Sequence, residues 1–223
     1  MIAKPIADLF KSDEFKFHTG GREDIDVRML GSGRPFVVEL MSPRLKSILT
    51  QETLSQIEKH INLLEVSVCV SNLQFTDDGC FGVLTEAAAA KVKVYGAILQ
   101  SSAEITDDMI AKVNSINNLE IDQMTPLRVL HRRTLMTRDK FVYRAYLDRI
   151  NKYTGLLFLL TSAGTYIKEF VHGDLNRTVP NMGMILGCKC DIIQLDVMDL
   201  YSDYSQESVQ KYEELVDKIR FKN

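Results

Sequence analysis

Residues 20–35 read GGREDIDVRMLGSGRP. Glycines at 20, 21, 31 and 33 and a proline at 35 favour tightly turning, irregular backbone over a helix or strand interior. Into that backbone are set Arg22, Glu23, Asp24, Asp26, Arg28 and Arg34. Two aspartates flanked by arginines on such a loop can be held ionised and aimed at a substrate. The plainer reading is a polar surface turn whose charges cancel, and composition alone favours it.

The order of the residues favours the chemical reading. Gly21-Arg22-Glu23-Asp24-Ile25-Asp26-Val27-Arg28 followed by Gly31-Ser32-Gly33-Arg34-Pro35-Phe36 resembles the signature of the archaeal and eukaryotic tRNA pseudouridine synthase 10 family. The resemblance continues in residues 126–133 (PLRVLHRR), in residues 163–178 (AGTYIKEFVHGDLNRT) and in Pro180-Asn181. It implies the pseudouridine synthase fold, a largely antiparallel sheet bent about a central cleft with helices outside. Residues 1–223 are then expected to form one catalytic domain, which can comprise two subdomains about the cleft. Family members carry a large amino-terminal region with a THUMP-type domain and zinc-binding cysteine pairs, and this chain is expected to lack it.

The rest of the chain is compatible with that fold. Residues 36–41 (FVVELM) form a short apolar run expected as a buried strand. Residues 50–64 place Leu54, Ile57, Ile61 and Leu64 on one helical face, with Ser47 or Thr50 as cap. Val66, Val68 and Val70 alternate as a strand would, and residues 76–82 read as a turn. Strands are expected at 91–100, 119–122, 156–162 and 190–197, with a β-rich segment at 129–146. Helices are expected at 107–116, at 165–172 capped by Thr165, and at 205–219, the last only partly docked. Without regular β-α-β alternation, the expectation is an α+β fold around one mixed sheet.

Composition excludes several classes. Hydrophobic residues at 45% and charged residues at 26% describe a globular chain rather than a disordered one. No apolar run reaches the ~18 residues a membrane span needs. Cys69, Cys80, Cys188 and Cys190 are too irregularly placed for a disulfide framework, so a cytoplasmic or nuclear setting with reduced thiols is expected. Net charge is −3, but Arg128, Arg132, Arg133, Arg138, Lys140, Arg144 and Arg149 make the middle basic. A basic middle suits RNA phosphate even where the total charge does not.

Turning uridine into pseudouridine breaks the N-glycosidic bond, turns the uracil and rejoins it through C5. Nothing is oxidised or hydrolysed overall, so no cofactor and no metal is expected. The resemblance implies tRNA as the partner, with uridines 54 and 55 of the T arm as targets. One ionised carboxylate is required, as nucleophile at C1′ or base at C2′. Asp24 is the candidate, because it stands two residues after Arg22 as in other synthase families; Asp26 competes. By the same resemblance, Tyr95 occupies the place where synthases carry a tyrosine against the target base. Lys168, from Gly164-Thr165-Tyr166-Ile167-Lys168, matches an arginine that pairs with the catalytic aspartate in the TruB-like synthases. Arg22, Arg28, Arg128, Arg132, Arg133 and Tyr166 are expected to hold substrate, and Arg138 and Arg144 also suit phosphate. His172-Gly173 is expected to end the helix begun at Thr165. A monomer is expected. Two other classes compete: an RNA-binding adaptor that keeps the fold without chemistry, and a metal-dependent phosphohydrolase using Asp24, Asp26, Asp77 and Asp78.

Overall fold

A strand that is apolar along most of its length needs cover on both faces. Such strands form the middle of the larger sheet in this computed structural model, which describes residues 1–45, 50–64, 66–77 and 79–220. In chain order the first elements are α1 (Ala3–Leu9), β1 (Glu14–Thr19), β2 (Val27–Met29), β3 (Phe36–Met41), α2 (Gln51–Leu64) and α3 (Cys80–Ala88). Next come β4 (Val92–Ser101), α4 (Asp107–Asn114), β5 (Asn117–Met124) and a 3-10 turn at Leu127–Val129. The chain continues through β6 (Thr137–Asn151), β7 (Thr154–Ser162), α5 (Ile167–His172) and β8 (Thr178–Val179). It ends with α6 (Met182–Leu186), β9 (Cys190–Tyr201) and α7 (Gln206–Arg220). Two compact units result: residues 1–22 with 34–88, and residues 23–33 with the chain from Ala89 onward.

In the first unit β1 and β3 pair antiparallel, from Glu14 opposite Met41 to Thr19 opposite Phe36. Helix α2 buries Leu54, Ile57 and Ile61 with Phe10 and Val70, as its periodicity requires. Leu64, at the last position of that helix, is exposed. Thr50 caps α2 by accepting from the Thr53 amide at 3.3 Å, while Ser47 lies outside the described residues. The strand expected through Val66, Val68 and Val70 is absent from the described residues there. Its pairing is replaced by a side chain: Asn62 donates to the Val70 carbonyl at 2.8 Å and accepts from the Val70 amide at 2.7 Å. The turn expected at 76–82 is shorter than that, because Asp77 accepts from the Gly79 amide at 2.9 Å and α3 starts at Cys80.

The second unit is a seven-stranded sheet in the order β2-β9-β4-β7-β6-β5-β8, antiparallel throughout except for the parallel pair β2–β9. Alternation along β4 divides two cores. Tyr95, Ala97 and Leu99 join Val142, Leu147, Leu157, Leu159, Phe170 and Met182 on one side. Val92 and Val94 join Phe158, Leu160, Tyr212 and Val216 on the other. Helix α7 is therefore docked rather than loose, and the Tyr212 hydroxyl donates to the Phe158 carbonyl at 3.1 Å. Arginines expected to face phosphate are tied into this unit. Arg138 donates to Thr125 Oγ1, Arg144 to Asn117, and Arg149 to the Ile105 carbonyl.

The glycine-rich stretch contains a strand after all, since β2 lies against β9 with Val27 opposite Leu195 and Met29 opposite Val197. Leu30 then donates to the Val197 carbonyl at 2.8 Å, and Gly31 follows at φ +63. A Cβ at Gly31 would collide with the Met198 carbonyl oxygen, whereas one at Gly33, φ +79, would meet open space. Left-handed backbone costs a non-glycine residue about 1–2 kcal/mol, so both positions carry that cost and only Gly31 adds a clash. Gly31→Ala should therefore lower the urea midpoint clearly more than Gly33→Ala at unchanged m-value. Equal losses in the two variants would show that the approach to Met198 is not a constraint.

Candidate active site

Residues 23–28 carry four charged side chains, and each meets an opposite charge from a different part of the second unit. Glu23 meets Lys93 of β4 at 2.9 Å, with both side chains 17% exposed. Asp24 meets Arg128 of the 3-10 turn, Oδ2 to Nη1, at 2.8 Å. Asp26 meets Lys168 of α5 at 2.6 Å. Arg28 meets Asp196 of β9 through two parallel bonds, Nε to Oδ1 at 2.8 Å and Nη2 to Oδ2 at 2.6 Å. The loop preceding β2 is thus held by ion pairs to β4, to the 3-10 turn and to α5, with a fourth pair along the β2–β9 ladder.

The bidentate pair fixes the pairing of β2 on β9, because Arg28 lies directly opposite Asp196 in the ladder. The guanidinium bond to Arg28 draws the buried Asp196 carboxyl below the usual range, with a further bond from Gln194 at 2.7 Å. Expected as a substrate contact, Arg28 places Nε and Nη2 on the protein's own carboxylate, with its side chain 62% exposed.

Lys168 also departs from expectation. The resemblance matches it to a catalytic-aspartate partner, yet its ammonium reaches Asp26, whose carboxyl it draws below the usual range. The cation beside Asp24 is Arg128. Its guanidinium faces two ways, Nη1 to Asp24 and Nε to Glu169 Oε1 at 2.7 Å. Glu169 is 1% exposed, and its second oxygen, Oε2, has no hydrogen-bond partner among the described residues. Burial works against the Arg128 charge, but Glu169 and then Asp24 outweigh it and raise its pKa.

The parts around Arg128 are themselves pinned. Pro126 precedes the turn, and Asp174 Oδ2 accepts from the Leu127 amide at 3.1 Å. Arg177 donates to the Thr125 carbonyl at 2.7 Å. Buried Gln123 straddles Tyr166, donating to its carbonyl and accepting from its amide at 2.9 Å each. That clasp sets the start of α5. Thr165 does not cap the helix, because its hydroxyl turns back to the Ser162 carbonyl at 2.7 Å and Tyr166 occupies the cap position. The Tyr166 ring centroid lies 5.9 Å from the Arg128 guanidinium carbon. At the other end Gly173, φ 81, terminates the helix as expected, with His172 in its last turn.

Tyr95 lies one pleat along β4 from Lys93, on the same face, and is 5% exposed among the core side chains. Arg132 and Arg133 are exposed in the loop between the 3-10 turn and β6. Arg22 is exposed in the first unit. Among the described residues no three His, Cys, Asp or Glu side chains gather as a metal-holding group, and Asp78 lies outside those residues. Lys93 and Asp196 belong to no motif of the sequence, and Glu169 lies within residues 163–178 without an expected role. The available signal was a charged residue embedded among apolar neighbours, as Glu169 is beside Phe170-Val171 and Asp196 between Leu195 and Val197.

Comparison with known proteins places these features in a family. A family model described as Pus10, C-terminal, matches residues 1–201. The chain is 39% identical over 204 residues to the tRNA pseudouridine synthase Pus10 of Homo sapiens, covering 92% of this chain and 38% of that protein. It is 38% identical over 201 residues to the protein of the same name from Thermofilum pendens, covering 90% of this chain and 45% of that one. The chain therefore spans less than half the length of these relatives. Among solved structures, the crystal structure of a Cbf5-Nop10-Gar1 complex superposes with a TM-score of 0.51 at 18% identity, over 87% of this chain and 43% of that one. The likeness extends to the fold, an α+β pseudouridine synthase fold with a mostly antiparallel sheet. By its match over residues 1–201, the chain belongs to the Pus10 C-terminal family.

Proposed function

We propose that this chain is the catalytic part of a tRNA pseudouridine synthase, acting on uridine 54, uridine 55 or both in the T arm, with Asp24 as the reacting carboxylate. The observation that carries the proposal is the setting of Asp24. Its side chain is 36% exposed, so it can be reached, and the Arg128 guanidinium grips it at 2.8 Å. The names of the relatives support tRNA as substrate.

Uracil has to leave the base stack before its glycosidic bond can be approached. Asp24 then either attacks C1′, expelling uracil with the bonding electrons, or takes the C2′ proton as that bond breaks. The freed uracil turns and C5 bonds to C1′, displacing the Asp24 carboxylate in the first route and, in the second, with the proton returned from Asp24 to C2′. The proton on C5 is lost, and N1 gains one, so the product is an isomer of the substrate. Tyr95 sits on the Lys93 face of β4 and would bear on the turning base. Lys168 adds a second cation at the loop by holding Asp26, and Tyr166 flanks Arg128. Arg132 and Arg133 would take RNA phosphate, and Arg22 would steady the extruded nucleotide.

The test is pseudouridine formation in unmodified tRNA transcript with chelator present. Asp24→Ala should lower the rate by at least ~1,000-fold, the scale seen when a reacting group is removed. Asp26→Ala breaks an exposed ion pair of about 1 kcal/mol or less, so its loss should stay within roughly fivefold. Product from Asp24→Ala would transfer the role to Asp26. Binding without product in the wild type would favour the adaptor reading.

A second measurement separates RNA contact from chemistry. Arg132→Ala/Arg133→Ala should weaken tRNA binding at low salt and reduce the slope of log K against log salt by roughly 1–2. The rate with bound tRNA should be unchanged. An unaltered salt slope would remove both arginines from the RNA path.

A further inference from the structure

Glu169 is a carboxylate withdrawn almost wholly from water at the third position of a short helix, in its first turn. Its flanking residues Ile167, Phe170 and Val171 are all buried, so the surroundings are apolar. An unpaired charge in such a place is strongly unfavourable. Arg128 answers it through Nε at 2.7 Å. A guanidinium is planar and has donors on more than one edge, so an arginine fixed by one edge presents the others in a determined direction. Here the other edge presents Nη1 to Asp24 Oδ2 at 2.8 Å.

The two cations beside the loop therefore differ in kind. Lys168 holds Asp26, whose side chain is 62% exposed, in a contact that solvent screens. Arg128 cannot swing away from Glu169 without leaving a buried carboxylate unmatched. Its backbone is held too, by Asp174 on the Leu127 amide.

We infer that Arg128 is the positioning residue for the Asp24 carboxylate, with buried Glu169 orienting its guanidinium, and that Lys168 at the motif position does not fill this role. The inference rests on the reading of Asp24 as the reacting group. Arg128 acts through Asp24 rather than on the substrate, so its removal should slow the chemical step and leave tRNA affinity alone.

The experiment uses the whole chain on tRNA transcript and compares the wild type, Asp24→Ala, Arg128→Gln, and the double variant Arg128→Gln/Glu169→Gln. Thermal midpoint, kcat and KM are measured for each. Arg128→Gln should lower kcat by about 100-fold, the scale for loss of one preorganised donor, with KM within about twofold. It should also lower the thermal midpoint, because Glu169 is left charged and unmatched. The double variant removes that buried charge. It should regain most of the thermal midpoint while kcat stays as low as in Arg128→Gln.

A double variant with wild-type kcat would overturn the inference, showing that Arg128 serves only to neutralise Glu169. A rise in KM at unchanged kcat would overturn it as well, making Arg128 an RNA contact. Either result, with Asp24→Ala inactive, would leave the synthase reading standing. Turnover by Asp24→Ala would instead overturn the reading of Asp24 and the inference with it, and none by the wild type would overturn the synthase reading as well.

Discussion

A carboxylate taken out of water must be matched in charge where it lies, and Glu169 is matched by Arg128. That requirement organises the region. It holds the 3-10 turn at Leu127–Val129 against α5, and it forces the second edge of the guanidinium outward to Asp24. Asp174, Arg177 and Gln123 then read as supports for the same arrangement. Each ties backbone at one end of the 3-10 turn or of α5 to a buried or half-buried side chain. On the proposed reading, a reaction whose main demand is a fixed carboxylate is served by partners that are already in place, because nothing has to reorganise as charge develops.

The sheet supplies the rigid frame for those partners. β4, β7 and β9 lie side by side in it, and β4 and β7 have apolar side chains on both faces covered by helices. Lys93 and Tyr95 project from β4, Asp196 from β9, and the β2 strand that carries the aspartate loop is added in parallel at the sheet's edge. A three-residue edge strand has few backbone bonds of its own. The Arg28–Asp196 pair and the close approach at Gly31 make up for that brevity, one by charge and one by shape.

What could be read from the sequence follows from the range of the forces involved. β4, β7, α2 and α4 announce themselves by local apolar periodicity, and Gly173 by the need of a helix end for left-handed backbone. Val66, Val68 and Val70 imitate a strand, but Asn62 takes both backbone groups of Val70, a substitution no periodicity can reveal. Thr165 looks like a cap until Gln123, far away in sequence, clasps the residue after it. The family motifs point to the aspartate loop, to Tyr95 and to α5. They do not show which cation meets which aspartate, since Arg128 and Lys168 lie on separate motifs and either could reach the loop. Arg28 is the clearest instance: its charge is legible, but its partner Asp196 is a distant residue that only the β2–β9 register brings opposite.

Asp24 and Asp26 are two residues apart, and their environments push them toward different roles. Asp26 stands in solvent with a flexible lysine beside it, a position that gives charge but little orientation. Full burial would orient a carboxylate but also favour its protonated form, as apolar surroundings do. Asp24 lies between these limits, half-shielded and gripped by an arginine whose own geometry is set from the buried side. Reach and orientation normally oppose each other in a charged side chain. Placing the orienting charge one residue deeper than the carboxylate it holds lets Asp24 have both.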